Sequence, residues 1–460
     1  MRRRRPALRI LGPALVAMAS APLAASVGRA QSVSDPTLVL ETVATGIHTP
    51  TTMAFVAPDD FLVLEKTTGR VRRVLGGVLQ PLPVLVFDVD GVGERGLLGI
   101  AVNTESPPAV FIYVTEDLAG GPANRVYRYT WNAGAGTLED PVTILDLPAG
   151  PSANHQGGAL ALGPPGLFPG VGDGALLYAV IGDVGRSGQL QNFEGAAPPD
   201  DTGVIFRVLQ DGSAAPGSPF PATCSVSTGT SCSTNAECPS GEVCLGRYLA
   251  YGVRNAFGLA VDPATGQLWD TENGPLLFDE INRVEPGLNS GWQDVMGPAG
   301  PGDLDDLFAL PGSSYSDPEF SWEDTVAPTA IAFPADGSLG PAYAGRALVA
   351  DANNGRIYAL PLDAAREGFD LAGYAGLGDL VANPLPGGDE SEALVIADGF
   401  GLLTDLEPGP DGHLYVVDLA AGIYRLRAAP PAVPGLGAAG VWLLAAALAA
   451  AGLAALRRAA

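Results

Sequence analysis

Arg254 and Asn255 stand side by side in "YGVRNAFGLAVDPATGQLWDTENGPLLFDEIN", with Gly274-Pro275 and the acidic pair Asp279-Glu280 close behind. A guanidinium, an amide and backbone carbonyls at one turn suit a flat polyanionic ligand clamped by a hard cation. Calcium takes carbonyl and carboxylate oxygens together, which such a turn supplies. The same groups have plainer readings: Arg254 as an ion-pair partner on a loop, Asn255 as a turn residue, Asp279 with Glu280 as a solvated acidic corner. Residue type alone does not choose among them.

The chain has three histidines. His48, in an early strand or its loop, and His413, in the turn of "PDGHLY", read as structural or solvated. His155, in "SANHQGGALAL", follows a Pro/Ser/Asn loop and precedes Gly157-Gly158, which lets backbone approach another group closely. It is the candidate for proton transfer. No Ser/His/Asp order or Gly-x-Ser-x-Gly elbow accompanies it, so nucleophilic hydrolysis has little support. No histidine pair has zinc spacing either. All four cysteines, Cys224, Cys232, Cys238 and Cys244, fall in one polar segment with spacings of eight, six and six. That spacing lacks Cys-x-x-Cys pairs and reads as two disulfides stapling an insertion at 224-244, with all three pairings open.

Elements must position these groups, and the composition says which kind. Gly (61) and Pro (41) punctuate short apolar runs throughout the 460 residues, a pattern of many strands joined by many turns. One theme recurs six times between Leu38 and Arg427: an apolar run, a Pro/Asp/Gly turn, and a second apolar run ending in polar residues. "MAFVAPDDFLVLEKTTGRVRRV" is the first and "LTDLEPGPDGHLYVVDLAAGIYRLR" the last. The runs have strand length and β-branched or aromatic content, and no long 3.6-residue period appears in the body. Repeats of this kind are the mark of a β-propeller. The expected fold is all-β, one six-bladed β-propeller over 38-427.

The ends read as targeting segments. "MRRRRPALRILGPALVAMASAPLAASVGRA" has a basic head, an apolar stretch and a small-residue site, so residues 1-30 are expected to be a signal peptide cleaved after Ala30. Ordinary secretion is preferred to a twin-arginine route through Arg4 and Arg5. After a Pro-rich linker, 428-434, the segment 435-458 carries no charge until Arg457 and Arg458. It is long enough to cross a bilayer and reads as a C-terminal transmembrane sorting or anchor helix. Removing both ends takes away eight arginines and no acid, leaving 17 basic against 50 acidic side chains. So acidic an exported body repels nucleic acid and favours cations.

The runs "GERGLLGIAV", "NHQGGALAL", "YAVIGDVG", "YGVRNAFGLAVDPATGQLW", "ENGPLLFDEIN" and "GLNSGW" resemble, in the same order, those of the glucose/sorbosone dehydrogenase family. That resemblance spans roughly Leu38 to Arg427. It implies a six-bladed propeller that binds pyrroloquinoline quinone and Ca2+ and oxidises aldose sugars to lactones, passing electrons to an external acceptor. It implies His155 as the general base and Arg254 beside the quinone oxygens. Asn255 becomes a neighbouring quinone ligand, and Glu94 the polar residue beside substrate and cofactor. Gly274 and Pro275 become the carbonyl ligands of calcium, with Glu280 near a second, structural calcium. Asn154 stands where the family commonly has an aspartate orienting the histidine.

The chain also departs from the family. The family's fifth-blade lysine gives way to Asn353 or Asn354, and its sixth-blade arginines to Leu402 and Thr404. Lys66, the one lysine, lies in blade one, and Arg346 and Arg356 are the nearest candidates to compensate. Two other readings follow: a non-catalytic propeller acting as a binding module, or a calcium-dependent lactonase on another six-bladed propeller. The sugar-oxidising reading requires His155, Arg254 and the Gly274 carbonyl to meet at one mouth of the hub.

Overall fold

The computed structural model describes residues 31-163, 176-193, 195-335 and 337-430. The expected signal peptide and C-terminal helix lie outside them. No helix among the described residues is long and apolar enough to cross a membrane.

The recurring theme forms six sheets around a ring, antiparallel except where Val381–Ala382 adds a parallel edge strand to blade four. Their innermost strands are Pro50–Ala57, Leu97–Val102, Leu160–Leu162, Ala256–Val261, Pro328–Ala332 and Leu403–Pro408, each packed against the next, with the last against the first. They enclose a cavity of about 550 Å³ walled mainly by Ala, Leu, Ile and Val side chains. The second strands are the most buried. Asp60–Glu65, Leu176–Ile181 and Leu414–Asp418 are buried at every position. A blade in the middle of the stack is covered on both faces, so its strands read as continuous apolar runs rather than alternating ones. Each inner strand begins at the same rim, beside the end of the previous blade's outer strand, and this rim collects residues far apart in the chain.

Ring closure was not legible in the repeat. The outermost strand of blade six is Leu38–Ala44, from the start of the propeller, paired antiparallel with Gly422–Ala428 so that Glu41 lies opposite Arg425. Upstream, Ser32–Val33 adds an edge strand to blade five against Val395–Asp398. The Cys segment pairs as Cys224–Cys238 and Cys232–Cys244. It lies between the third and fourth strands of blade three and is fastened to that blade where Asn235 Nδ2 donates to Asp201 (2.5 Å).

Glu41 seals the closure. It accepts from Arg427 Nε (2.9 Å) and Arg425 Nη2 (2.7 Å), and these bonds, Arg427 first, hold its carboxyl down to about 2. A depressed folded-state pKa means the stabilisation is present above the ordinary value of 4.5 and is lost as pH falls towards about 2. In Glu41→Gln, calorimetry is expected to show a lower melting temperature at pH 7 and a smaller further drop between pH 4.5 and 2. An unchanged pH curve would refute the assignment.

Candidate active site

Three rim segments meet where blades two, three and four abut. Glu94, just before the inner strand of blade two, accepts from the His155 backbone N–H (2.5 Å) and from Asn255 Nδ2 (3.2 Å). His155 is held at φ +63°, a left-handed conformation that costs a non-glycine residue on the order of 1 kcal/mol. That strain turns its imidazole towards Asp183, whose Oδ1 lies 2.7 Å from Nδ1. Asp183 is 4% exposed. Its Oδ1 also accepts from Gly185 N (2.7 Å), and its Oδ2 accepts from Trp292 Nε1 (2.8 Å). A carboxylate on Nδ1 fixes the proton there and leaves the Nε2 lone pair free. The ring retains 21% exposure, on a largely enclosed wall.

Arg254 forms the opposite wall. Its Nη1 donates to the carbonyls of Asn273 (2.7 Å) and Gly274 (3.0 Å), and its guanidinium lies 5.2 Å from the Trp292 ring centre. Burial lowers its pKa, opposed by the charges of Asp183, Glu272, Glu94 and Asp279. Gly182 shows how close the two walls come. A Cβ there would sit 2.4 Å from the Arg254 carbonyl oxygen and 2.6 Å from that of His155, so only glycine fits. Gly274 is equally constrained, since its Cβ would lie 2.0 Å from the Phe278 carbonyl oxygen. Beneath the Gly274-Pro275 turn, Asp279 accepts from Gly274 N (2.8 Å) and from Val326 and Ala327 N (2.6 Å each). Burial pushes its carboxyl up to about 6.

His155, Arg254, Asn255, Glu94 and Gly274 therefore form one cluster, and Pro275 lies exposed on its edge. Glu280 does not join it. It points into blade four, bonded to Gly297 N (2.5 Å) and Asn282 Nδ2 (3.3 Å), and burial raises its pKa. The neighbours Asp279 and Glu280 face opposite ways because strand side chains alternate. Neither is the solvated corner that their charge suggests.

Three polar atoms in this cluster are buried without a hydrogen-bond partner among the described residues: Arg254 Nε, Asn255 Oδ1 and Asn273 Oδ1. Such atoms cost roughly 1–3 kcal/mol each unless a ligand meets them. Two amide oxygens suit a hard cation or hydroxyl donors, and an Nε–H suits a ligand carbonyl or anion. The Gly274 carbonyl is already engaged by Arg254, so cation and guanidinium would share it.

Asn154 does not orient the histidine. Its side chain is exposed, and Asp183 takes that role, so the imidazole keeps a carboxylate partner. Lys66 is not remote. Blade one neighbours blade two around the ring, and Nζ donates to the carbonyls of Gly93 (2.7 Å) and Arg95 (2.8 Å) on either side of Glu94. Arg346 and Arg356 do not compensate. Arg346 is bonded to Ala342, Ala359 and Tyr374, and Arg356 pairs with Glu392 at 2.8 Å. Asn353 bonds to Thr325, Asn354 to Asp351 and Thr404 to Pro50. The arc of rim over blades five and six thus offers amides, hydroxyls and Leu402 where the family has cations.

Sequence reasoning missed Asp183, Trp292 and Asn273 as site residues. The available signal was a Gly-Asp directly after a fully buried apolar strand in "YAVIGDVG". Because Lys66 holds the backbone on both sides of Glu94, Lys66→Met should let that carboxylate move. We expect the His155 amide, which donates to that carboxylate, to exchange with solvent about tenfold faster with an unchanged melting temperature, and Lys66→Arg to recover most of the protection. An exchange rate unaffected in Lys66→Met would rule this out.

A six-bladed propeller with a His–Asp pair and a buried arginine across one rim defines the class. The family model for glucose/sorbosone dehydrogenases matches residues 47–422, and the chain belongs to that family. It is 28% identical over 284 residues to quinoprotein glucose dehydrogenase B of Acinetobacter calcoaceticus, covering 55% of this chain and about half (52%) of that relative. A putative oxidoreductase (glucose dehydrogenase) of Thermus thermophilus has a solved structure similar at a TM-score of 0.59 and 27% identity, covering 85% of this chain and 99% of that one. The PQQ-bound aldose sugar dehydrogenase of Streptomyces coelicolor shares the fold at a TM-score of 0.59 and 24% identity, covering 86% and 97%.

Proposed function

We propose that the protein is an extracytoplasmic aldose sugar dehydrogenase that oxidises the sugar to its lactone with His155 as general base. The observation that carries this reading is the His155–Asp183 pair joined through the Trp292 indole to the Arg254 guanidinium at one rim. In this reading Nε2 takes the proton from the sugar's anomeric hydroxyl, and Asp183 stabilises the imidazolium that forms. Glu94 fixes the backbone of the base and the amide of Asn255. Arg254 makes its wall electropositive where negative charge develops.

Pyrroloquinoline quinone, found in the Streptomyces coelicolor relative, would supply the two-electron acceptor when bound. The orphaned Arg254 Nε–H fits a carbonyl of its reacting end, and Asn255 Oδ1, an acceptor, would take a hydroxyl of the sugar. Asn273 Oδ1 with the Gly274 and Pro275 carbonyls would hold Ca2+, and buried Glu280 would serve a separate, structural ion. Electrons then leave to an external acceptor. Two disulfides support export, and we retain 1-30 as the signal peptide and 435-458 as the anchor.

The arc over blades five and six, where Asp351, Asp398 and Asp418 stand beside Asn354, Gly399 and Leu402, favours a second reading, a propeller of the same family that binds ligands without turnover. A titration separates the two. Purified protein is loaded with Ca2+ and the quinone, and dye-linked oxidation of a panel of aldoses is measured beside cofactor binding. Saturable binding with sugar-dependent reduction of the dye supports the enzyme. No binding at micromolar quinone would sink it and leave the binding module.

A further inference from the structure

We infer that Trp292 is a positioning residue that couples the proton-accepting wall of the site to its cationic wall, an inference that rests on His155 being the base. Its indole N–H donates to Asp183 Oδ2 at 2.8 Å while its ring faces the Arg254 guanidinium at 5.2 Å. The Asp183 oxygens divide the work. Oδ1 takes His155 Nδ1 and Gly185 N, and Oδ2 takes Trp292. Without the indole, Oδ2 would be a buried carboxylate oxygen with no hydrogen-bond donor among the described residues. Its charge would then act more fully on the imidazole.

The backbone that carries the indole is itself anchored. Trp292 N donates to the Gly252 carbonyl (2.9 Å), and its carbonyl accepts from Asn192 Nδ2 (2.8 Å). Asn192 is locked in a reciprocal amide pair with Asn289 at 3.0 and 2.8 Å. The buried amide pair thus fixes the main chain at Trp292, together with those of Gly291 and Phe308, and so sets where the half-buried ring can reach. The charged groups around the His155–Asp183 pair include Glu94 at the His155 backbone with Lys66 beside it, Arg95 on the Ser152 carbonyl, Arg186 on the Asp183 turn, Arg254, and Glu272 behind Arg254. Their contributions are common to all variants below.

Trp292→Phe keeps a ring under Arg254 and deletes the N–H. Trp292→Leu deletes both. The midpoint of the His155 imidazole titration, followed by NMR in the protein without cofactor or sugar, is expected to rise by about one pH unit in both variants. In the loaded enzyme, kcat should fall about tenfold in Trp292→Phe with KM nearly unchanged, and the acid limb should move up with the imidazole. Trp292→Leu should lose a further few-fold through the guanidinium. An unmoved or lowered titration midpoint in folded Trp292→Phe overturns the proposal. The titration needs no turnover, so it stands apart from the test of sugar oxidation: a protein that never turns over sugar can still show the imidazole shift.

Discussion

His155→Ala is expected to lower kcat for sugar oxidation about 10³-fold while leaving the quinone affinity and the melting temperature near those of the parent. A positioned general base contributes roughly 10²–10⁴-fold, and each factor of ten is about 1.4 kcal/mol of barrier. Folding should tolerate the change. The ring is partly exposed, and its backbone bond to Glu94 survives truncation. Alanine must still adopt φ +63°, a mild cost that the parent histidine already bears. Stopped-flow reduction of the bound cofactor by sugar isolates the chemical step. A variant within tenfold of wild type would remove His155 from the mechanism. Loss of cofactor binding along with turnover would instead make it a ligand-holding residue.

Asp183→Asn is expected to cost about 10²–10³-fold in kcat and to move the acid limb of the pH–rate profile down. An asparagine cannot satisfy all three donors that now converge on the carboxylate. If its oxygen meets the imidazole and Gly185, its NH₂ opposes the Trp292 N–H. If it flips, the NH₂ meets Nδ1, drives the ring proton to Nε2 and leaves no lone pair for the sugar hydroxyl. Either way the imidazolium loses its anionic partner, so it deprotonates at lower pH and the base becomes available earlier but weaker. Trp292→Phe pushes the same limb upward, because it strengthens rather than removes the Asp183 charge. Opposite displacements in the two variants are a signature that general loosening of the rim does not reproduce. A profile that keeps its midpoint in Asp183→Asn would show the carboxylate to be structural.

The outcome at the cofactor's carboxylate end depends on what the rim lacks. Asn353, Thr404 and Leu402 leave that arc without a cation, and Arg346 and Arg356 are committed to other partners. The family model places the chain in the glucose/sorbosone dehydrogenase family, and under the proposed function these few side chains would set how strongly quinone is held. The titration with Ca2+ and quinone is therefore the measurement on which the enzyme and binding-module readings part.

By itself the sequence determined the architecture and which residues were worth watching. Six recurrences of strand, turn and strand specify six blades because each β-run must bury both faces and each Pro/Asp/Gly turn reverses the chain. The clustered cysteines specify an insertion held by disulfides for the same local reason. Residue type left His155, Arg254, Asn255 and Gly274 open between structural and chemical roles, and the resemblance of the runs that hold them to one family singled them out. Only the tertiary structure decided who meets whom. Pairing of the first two strands of blade three set Asp183 against His155, 28 residues away, and packing of the blades around the hub set Asn255 against Glu94, 161 residues away. The same packing brought Lys66 round to the Glu94 loop, and used Leu38–Ala44 to finish the last blade. Local patterns fix where a strand turns and which side it buries. The angle at which one blade's rim loop faces the next is set by packing around the whole circle, and no single segment encodes it.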